Sequence, residues 1–308
     1  MKNVFYMIII TTVILFTCLN VSVIADGCRQ GVSLWYSSIV PVLLPFMLLT
    51  SVILDTLDLN HMTTGFACIL SLIIGLFCGF PTGTLVISFF YKNNSLSRHT
   101  AQTLLPICNN VSPMFLYGYI YSEYLYKYMT LHELIICLYV PQIACTMITF
   151  CIYYTHINIY IKSTVSKIFP GNIFSHTSSE IAATSLHGSK YKNDNIINSS
   201  IYNITAIGIF IVIFSITSNL ITHFFPYKII QAATSFLEIS SGINSLASIN
   251  IPHKIKTVLF LSLTAFGGLS ALFQSYGLIQ KTGLSFFKYI SAKCLYSLIC
   301  AATTIIIF

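Results

Sequence analysis

Charge is the scarcest commodity in this 308-residue chain. Asp, Glu, Lys and Arg together make up 7% of it, against about 25% in a soluble domain. That shortage excludes an ordinary soluble fold. The net charge of +7 is spread between apolar runs and forms no basic cluster, so nothing points to nucleic acid. Catalytic signatures are missing as well. His132-Glu133 is followed by Leu134-Ile135-Ile136, which is not the two-histidine zinc pattern. There is no Gly-x-Ser-x-Gly elbow and no phosphate-binding glycine loop with a lysine, so an ATP-driven pump on this chain alone is disfavoured. The chain is read as a non-enzyme that needs no cofactor and no metal. The ten cysteines never form Cys-x-x-Cys. Cys68, Cys78, Cys145 and Cys300 lie in apolar runs and read as small buried hydrophobes.

What the chain has is hydrophobicity, at 56% of residues and a mean hydropathy of +0.82. The expected fold is an all-α membrane protein, a polytopic helical bundle of about 8–9 hydrophobic segments. Val4 to Val23 reads as a retained first span rather than a signal peptide. Asp26 to Ser33 reads as a polar link. Leu34 to Leu54 is interrupted by Pro41 and Pro45, and reads as a span or as one arm of a re-entrant hairpin. Leu134 to Tyr154 and Ile201 to Ile221 are plain spans. Cys294 to Phe308 reads as a short final span after an amphipathic basic stretch, Lys281 to Lys293.

Thr64 to Phe90 is long enough to cross a bilayer, yet Gly79-Phe80-Pro81-Thr82-Gly83 stands at its centre. Pro81 has no N–H and disfavours helix at Phe80. The run reads as two half-helices meeting at mid-membrane, where unpaired backbone is tolerated only in protein or beside a wet cavity. Broken helices of this kind mark transport sites. A second interruption is Pro106-Ile107-Cys108-Asn109-Asn110-Val111-Ser112-Pro113, and a third is Gly267-Gly268 within Val258 to Ile279.

His156 to Ser199 is polar and divides the chain. Residues 1–158 form an N-terminal membrane half, 159–199 a central loop, and 200–308 a C-terminal membrane half. Gly79 to Gly83 corresponds in place to Gly267-Gly268, a weak two-half repeat.

The candidate substrate-binding residues follow from the breaks: Gly79, Phe80, Pro81, Thr82 and Gly83; Asn109, Asn110 and Ser112; Gly267, Gly268, Ser270 and Gln274. Half-helix N-termini offer N–H groups to a carboxylate, and the amides and hydroxyls offer directional hydrogen bonds. Close packing through small residues and interhelical amide bonding are the alternatives for these same positions. Glu238 is an acid deep within an apolar run, which makes it a candidate for ion coupling, to a proton or a cation. Its alternative is a structural glutamate bonded to backbone or to Ser240 and Ser241. Arg98, Lys281, Lys288 and Lys293 sit near segment ends and read as headgroup anchors, the alternative being that one of them guides an anion inward.

These motifs, in this order, resemble the sporulation integral membrane protein family known as YlbJ or SpoVV, which carries nucleoside-recognition Gate domains. The resemblance rests on Leu34-Trp35 with Pro41 to Pro45, on Gly79 to Gly83, and on Cys108 to Phe115. Leu237-Glu238-Ile239 with Gly242, and Phe266 to Ser270 with Gln274, complete it. Ser112 stands where family members often carry glycine. The resemblance implies a transporter of dipicolinic acid in the outer forespore membrane of a spore-forming bacterium. Its partners would be a small-molecule substrate, the lipid bilayer and a coupling proton or cation, with room for a homo-oligomer. Two other readings stay open: transport of nucleosides or another small metabolite, and a membrane scaffold recruiting sporulation partners through the central loop.

Overall fold

A computed structural model describes residues 11–12, 14–57, 62–168, 193–280 and 282–308. Every regular element among these residues is a helix, and no strand occurs among them. Most of the expected central loop and the start of the expected first span lie outside the described residues, as does Lys281.

The first described elements are α1 (Val21–Leu34) and α2 (Val40–Thr56), joined by a π-helical turn at Trp35–Ile39. The expected polar link at Asp26 to Ser33 is therefore helix. The reason is packing: Gly27 and Gly31 are buried, four residues apart, against helix α8 (Asn193–Phe224). A Cβ on either glycine would come within 2.8 Å of backbone, at Ile216 and Val212 respectively. This is a small-x-x-x-small approach of two helices. The link's charges face outward as an exposed Arg29–Asp26 pair at 3.1 Å.

Next come α3 (Thr64–Cys78), α4 (Thr82–Lys92) and α5 (Arg98–Cys108). Thr63 and Ser97 cap α3 and α5 by accepting from Phe66 N and Thr100 N, as short hydroxyl side chains do at N-caps. At 15 residues, α3 covers about 22 Å, short of the roughly 30 Å of hydrocarbon in a bilayer. It packs beside α4, so the break at Gly79 brings the half-helices side by side. The chain continues as α6 (Pro113–Phe115), a π-helical stretch Leu116–Leu125, and α7 (Leu131–Ile168). Helix α7 runs past the expected boundary at His156, and α8 begins before Ser199.

The remainder is α9 (Lys228–Thr234), α10 (Ile239–Ser248), α11 (His253–Phe266), α12 (Gly268–Ile279) and α13 (Phe286–Ile307). Helix α13 spans 22 residues and absorbs the end of the stretch read as amphipathic and basic. Its start at Phe286 sets Lys293 two turns inside rather than at a segment end.

Among the described residues, four stretches are long and apolar enough to cross a membrane: Leu131–Ile152, Ser200–Phe224, His253–Ile279 and Phe286–Ile307. The pair Val21–Ile39 and Leu43–Thr56, bent by 56°, makes a fifth if it is counted as one span. These helices are compatible with an integral membrane protein. Outward-facing Ile135, Ile143, Met147, Ile209, Ile213, Leu298 and Ile306 present the apolar surface that lipid requires.

Three apolar clusters hold the bundle. Leu134, Leu138, Ile243, Leu246, Phe260, Leu261 and Cys300 join α7, α10, α11 and α13. Val86, Ile87, Phe90, Leu105, Leu272 and Tyr289 join α4, α5, α12 and α13. Met47, Ile204, Ile207 and Ile211 join α2 to α8, with Trp35 against them.

Candidate functional site

Four of the helix breaks among the described residues, at 79–81, 109–112, 235–238 and Gly267, pair two by two through their backbones. Phe80 N donates to the Asn110 carbonyl at 3.0 Å. Leu269 N and Ser270 N donate to the Phe236 and Leu237 carbonyls at 2.9 and 2.8 Å. Some of the backbone groups freed at one break thus bond to another, meeting part of the demand that buried N–H and C=O groups be paired.

Glycines make the close approaches possible. Gly83 lies against the Cys108 carbonyl, whose carbon would be 2.6 Å from an added Cβ. Gly75, on α3, meets the same carbonyl group from its own side. Gly79 takes φ +71°, the left-handed region where a side chain is strained, and sits against Ser112 N. Gly267 (φ +90°) lies on the Phe80 ring, and Gly268 (φ +80°) lies on Ile239 N and Glu238.

Between the paired breaks is a cavity of about 70 Å³, in a measure where one water needs about 10–15 Å³. Its wall includes Phe80, Ser112, Glu238, Ser240, Ser270 and Gln274, together with Ser38, Leu43, Ile207 and Ile211. Five of the expected site residues, Phe80, Ser112, Glu238, Ser270 and Gln274, therefore come from four separate stretches to one cavity. Val111 and Phe115 add to its apolar lining.

Glu238 is 3% exposed and caps α10. Its Oε1 accepts from Ser240 N at 3.1 Å and its Oε2 from Ser241 N at 2.7 Å. A carboxylate at a helix N-terminus is favoured by the N–H groups and by the dipole. This is the bonding weighed as its structural alternative, made by a side chain that also faces the cavity. The N-terminus of α10 is accordingly occupied by the chain's own carboxyl group. Ser112 Oγ accepts from Phe115 N at the start of α6. At α12, Leu269 N and Ser270 N are bonded to the break at 236–237. Gln274 Nε2 donates to Ser270 Oγ at 3.1 Å.

The other expected residues stand behind the wall. Asn109 is fully buried, and its Nδ2 donates to Ser275 Oγ at 2.6 Å and to Tyr289 Oη. It therefore ties α5 to α12 and α13, the interhelical role that amides take in membranes. Asn110 Nδ2 donates to the Ile107 carbonyl at 2.8 Å. Pro81 caps α4, and Thr82 beside it is 1% exposed.

Sequence reasoning missed Lys293, which it placed at a headgroup. The side chain is fully buried. Its Nζ donates to Asn110 Oδ1 at 2.6 Å and to the Asn109 carbonyl at 3.2 Å. It lies 5.2 Å from the Phe80 ring centroid and 5.3 Å from that of Tyr296, within cation–π range. The signal was present on α13: Tyr289, Lys293, Tyr296 and Cys300 recur at helical spacing, all buried. Arg98 is no simple anchor either, since its Nη2 donates to the Gly283 carbonyl at 3.0 Å. Gln102 clamps Ser285, donating to its carbonyl at 3.0 Å and accepting from its N at 2.7 Å.

Comparison with protein-family models, with curated proteins and with solved structures gave no match to this chain.

Proposed function

We propose that this protein is a membrane transporter whose binding site is the cavity between the paired helix breaks. The convergence of Phe80, Ser112, Glu238, Ser270 and Gln274 on that cavity supports the reading most directly. Polar groups and interrupted backbone meeting inside an apolar bundle are what a mid-membrane site requires. The resemblance to the YlbJ or SpoVV family makes dipicolinic acid the proposed cargo and the outer forespore membrane the proposed location. Phe80 and Phe115 offer faces for an aromatic ring, and Ser270 and Gln274 offer donors for its carboxylates. Glu238 is the proposed coupling site for a proton or cation, because a charged carboxylate in the wall would repel a dianion.

The proposed topology is about 8–9 segments in two halves. The correspondence favoured by the backbone pairing differs from the one drawn from glycines alone. It matches the break at 79–81 with that at 235–238, and the break at 109–112 with that at Gly267. Each half then has an earlier and a later break bonded together.

A second cargo class, nucleosides or similar neutral metabolites, is favoured by one observation. Glu238 is an acceptor in the wall, and hydroxyl-rich neutral ligands suit it better than an anion. Competition separates the two. Unlabelled dipicolinate should inhibit uptake of labelled dipicolinate by the purified, reconstituted protein, and a tenfold excess of nucleosides should not. Inhibition by nucleosides with no uptake of dipicolinate would transfer the assignment to the second class.

A further inference from the structure

Lys293 has no role in the cavity described above, yet it is separated from it by one aromatic ring. Its Nζ lies 5.2 Å from the centroid of Phe80, and Phe80 is part of the cavity wall. Burying an ammonium is expensive unless it is paired. Among the described residues Lys293 makes no ion pair with a carboxylate. Its partners are a backbone carbonyl and the neutral amide oxygen of Asn110. The side chain is thus held by two dipoles and by no anion among the described residues.

The neighbouring geometry shows how the cation would meet a ligand. The Phe80 ring lies closely over Gly267, so on that side it meets backbone alone. Phe80 also belongs to the break itself, outside regular helix. Three helix N-termini beside the cavity are already engaged: α10 by Glu238, α6 by Ser112 Oγ, and α12 by the carbonyls at 236–237. A carboxylate entering the cavity therefore competes there with bonds the chain already makes.

We propose that Lys293 is the charge-recognition residue of this cavity: when the Phe80 ring turns aside, the ammonium exchanges Asn110 Oδ1 for a carboxylate of the bound ligand. The substrate class is then an aromatic carboxylate, and Phe80 is a shutter between the cation and the cavity. The inference deepens the transporter reading and rests on its choice of site, though it does not require dipicolinate itself.

The test measures binding to the purified full chain in detergent. The probes are pyridine-2,6-dicarboxylate, pyridine-2-carboxylate, benzoate and the corresponding neutral amides. Wild type should prefer each acid to its amide. Lys293→Gln keeps an N–H donor for the Asn109 carbonyl and Asn110 Oδ1 but removes the charge. It should cut acid affinity about tenfold to a hundredfold, the size of a lost charge-assisted hydrogen bond, and leave amide affinity in place. Lys293→Arg should restore part of the preference. Lys293→Met fills a similar volume and substitutes for the glutamine variant should that variant fail to fold. A merely structural lysine would lower acid and amide binding together, and that result overturns the proposal. So does a wild type that binds none of the acids. If wild type binds benzoate or pyridine-2-carboxylate but not the dicarboxylate, the dipicolinate assignment fails while the role of Lys293 stands.

Discussion

Gly267→Ala is the sharpest perturbation of the proposed site, because two separable costs fall on one residue. The first is backbone strain. Gly267 has φ +90°, and an L-residue in the left-handed region costs about 1–2 kcal/mol. The second is steric. The new Cβ would meet Phe80 at Cζ and lie 2.9 Å from Cε1, and overpacking a core position costs about 1–3 kcal/mol. Together they amount to a loss of about 2–5 kcal/mol, read as unfolding of the purified protein in mixed micelles by a denaturing detergent. The two costs part in a double-mutant cycle with Phe80→Ala. Removing the ring abolishes the steric cost and leaves the strain, so the two changes should couple by about 1–3 kcal/mol. A Gly267→Ala protein as stable as wild type, or a cycle without coupling, would refute the packing of the break against Phe80.

Gly83→Ala should destabilise more severely than a surface substitution. Its Cβ would strike the Cys108 carbonyl group, backbone that cannot rotate away, so a drop in folded yield and in thermal midpoint is expected. Trp35, the chain's one tryptophan, donates from Nε1 to the Ile204 carbonyl at 3.0 Å and lies on Gly208. Gly208→Ala should move its fluorescence, and an unchanged emission spectrum would contradict the α1–α8 packing. Glu238→Ala removes the acceptor for Ser240 N and Ser241 N and should cost about 0.5–2 kcal/mol as a lost helix cap. Glu238→Gln keeps one amide oxygen and should recover part of that stability in the same unfolding assay. Asn109→Ala unties α5 from Ser275 and Tyr289 and leaves buried hydroxyls short of a partner. It should cost about 1–3 kcal/mol, and an Asn109→Ala protein with an unchanged unfolding midpoint would contradict that tie.

The breaks were legible because proline and glycine act locally. Pro81 with its flanking glycines, and Gly267 with Gly268, stop their helices, whereas the lone prolines Pro45, Pro106 and Pro141 lie inside helices. Glu238 was legible because a charge in an apolar run stands out. The pairing of the breaks was not legible, since the bonds from Phe80 to Asn110 and from Ser270 to Leu237 join residues 30 or more positions apart. Nothing in either segment names its partner. Asp26 to Ser33 misled for the opposite reason. Its charges read as a link, while Gly27 and Gly31 carry the packing face of a helix whose partner lies far along the chain. Lys293 was misplaced because the end of α13 was drawn from its charges. The aromatic and apolar stripe on the same face would have drawn it correctly.

Uptake of labelled dipicolinate into liposomes holding the purified, correctly inserted protein tests the central claim most directly. The account predicts saturable uptake above protein-free liposomes, strongly reduced by Gln274→Ala and by Lys293→Gln, each on the cavity or one ring behind it. Uptake no faster than in empty liposomes, from protein shown to be folded and inserted, would contradict it.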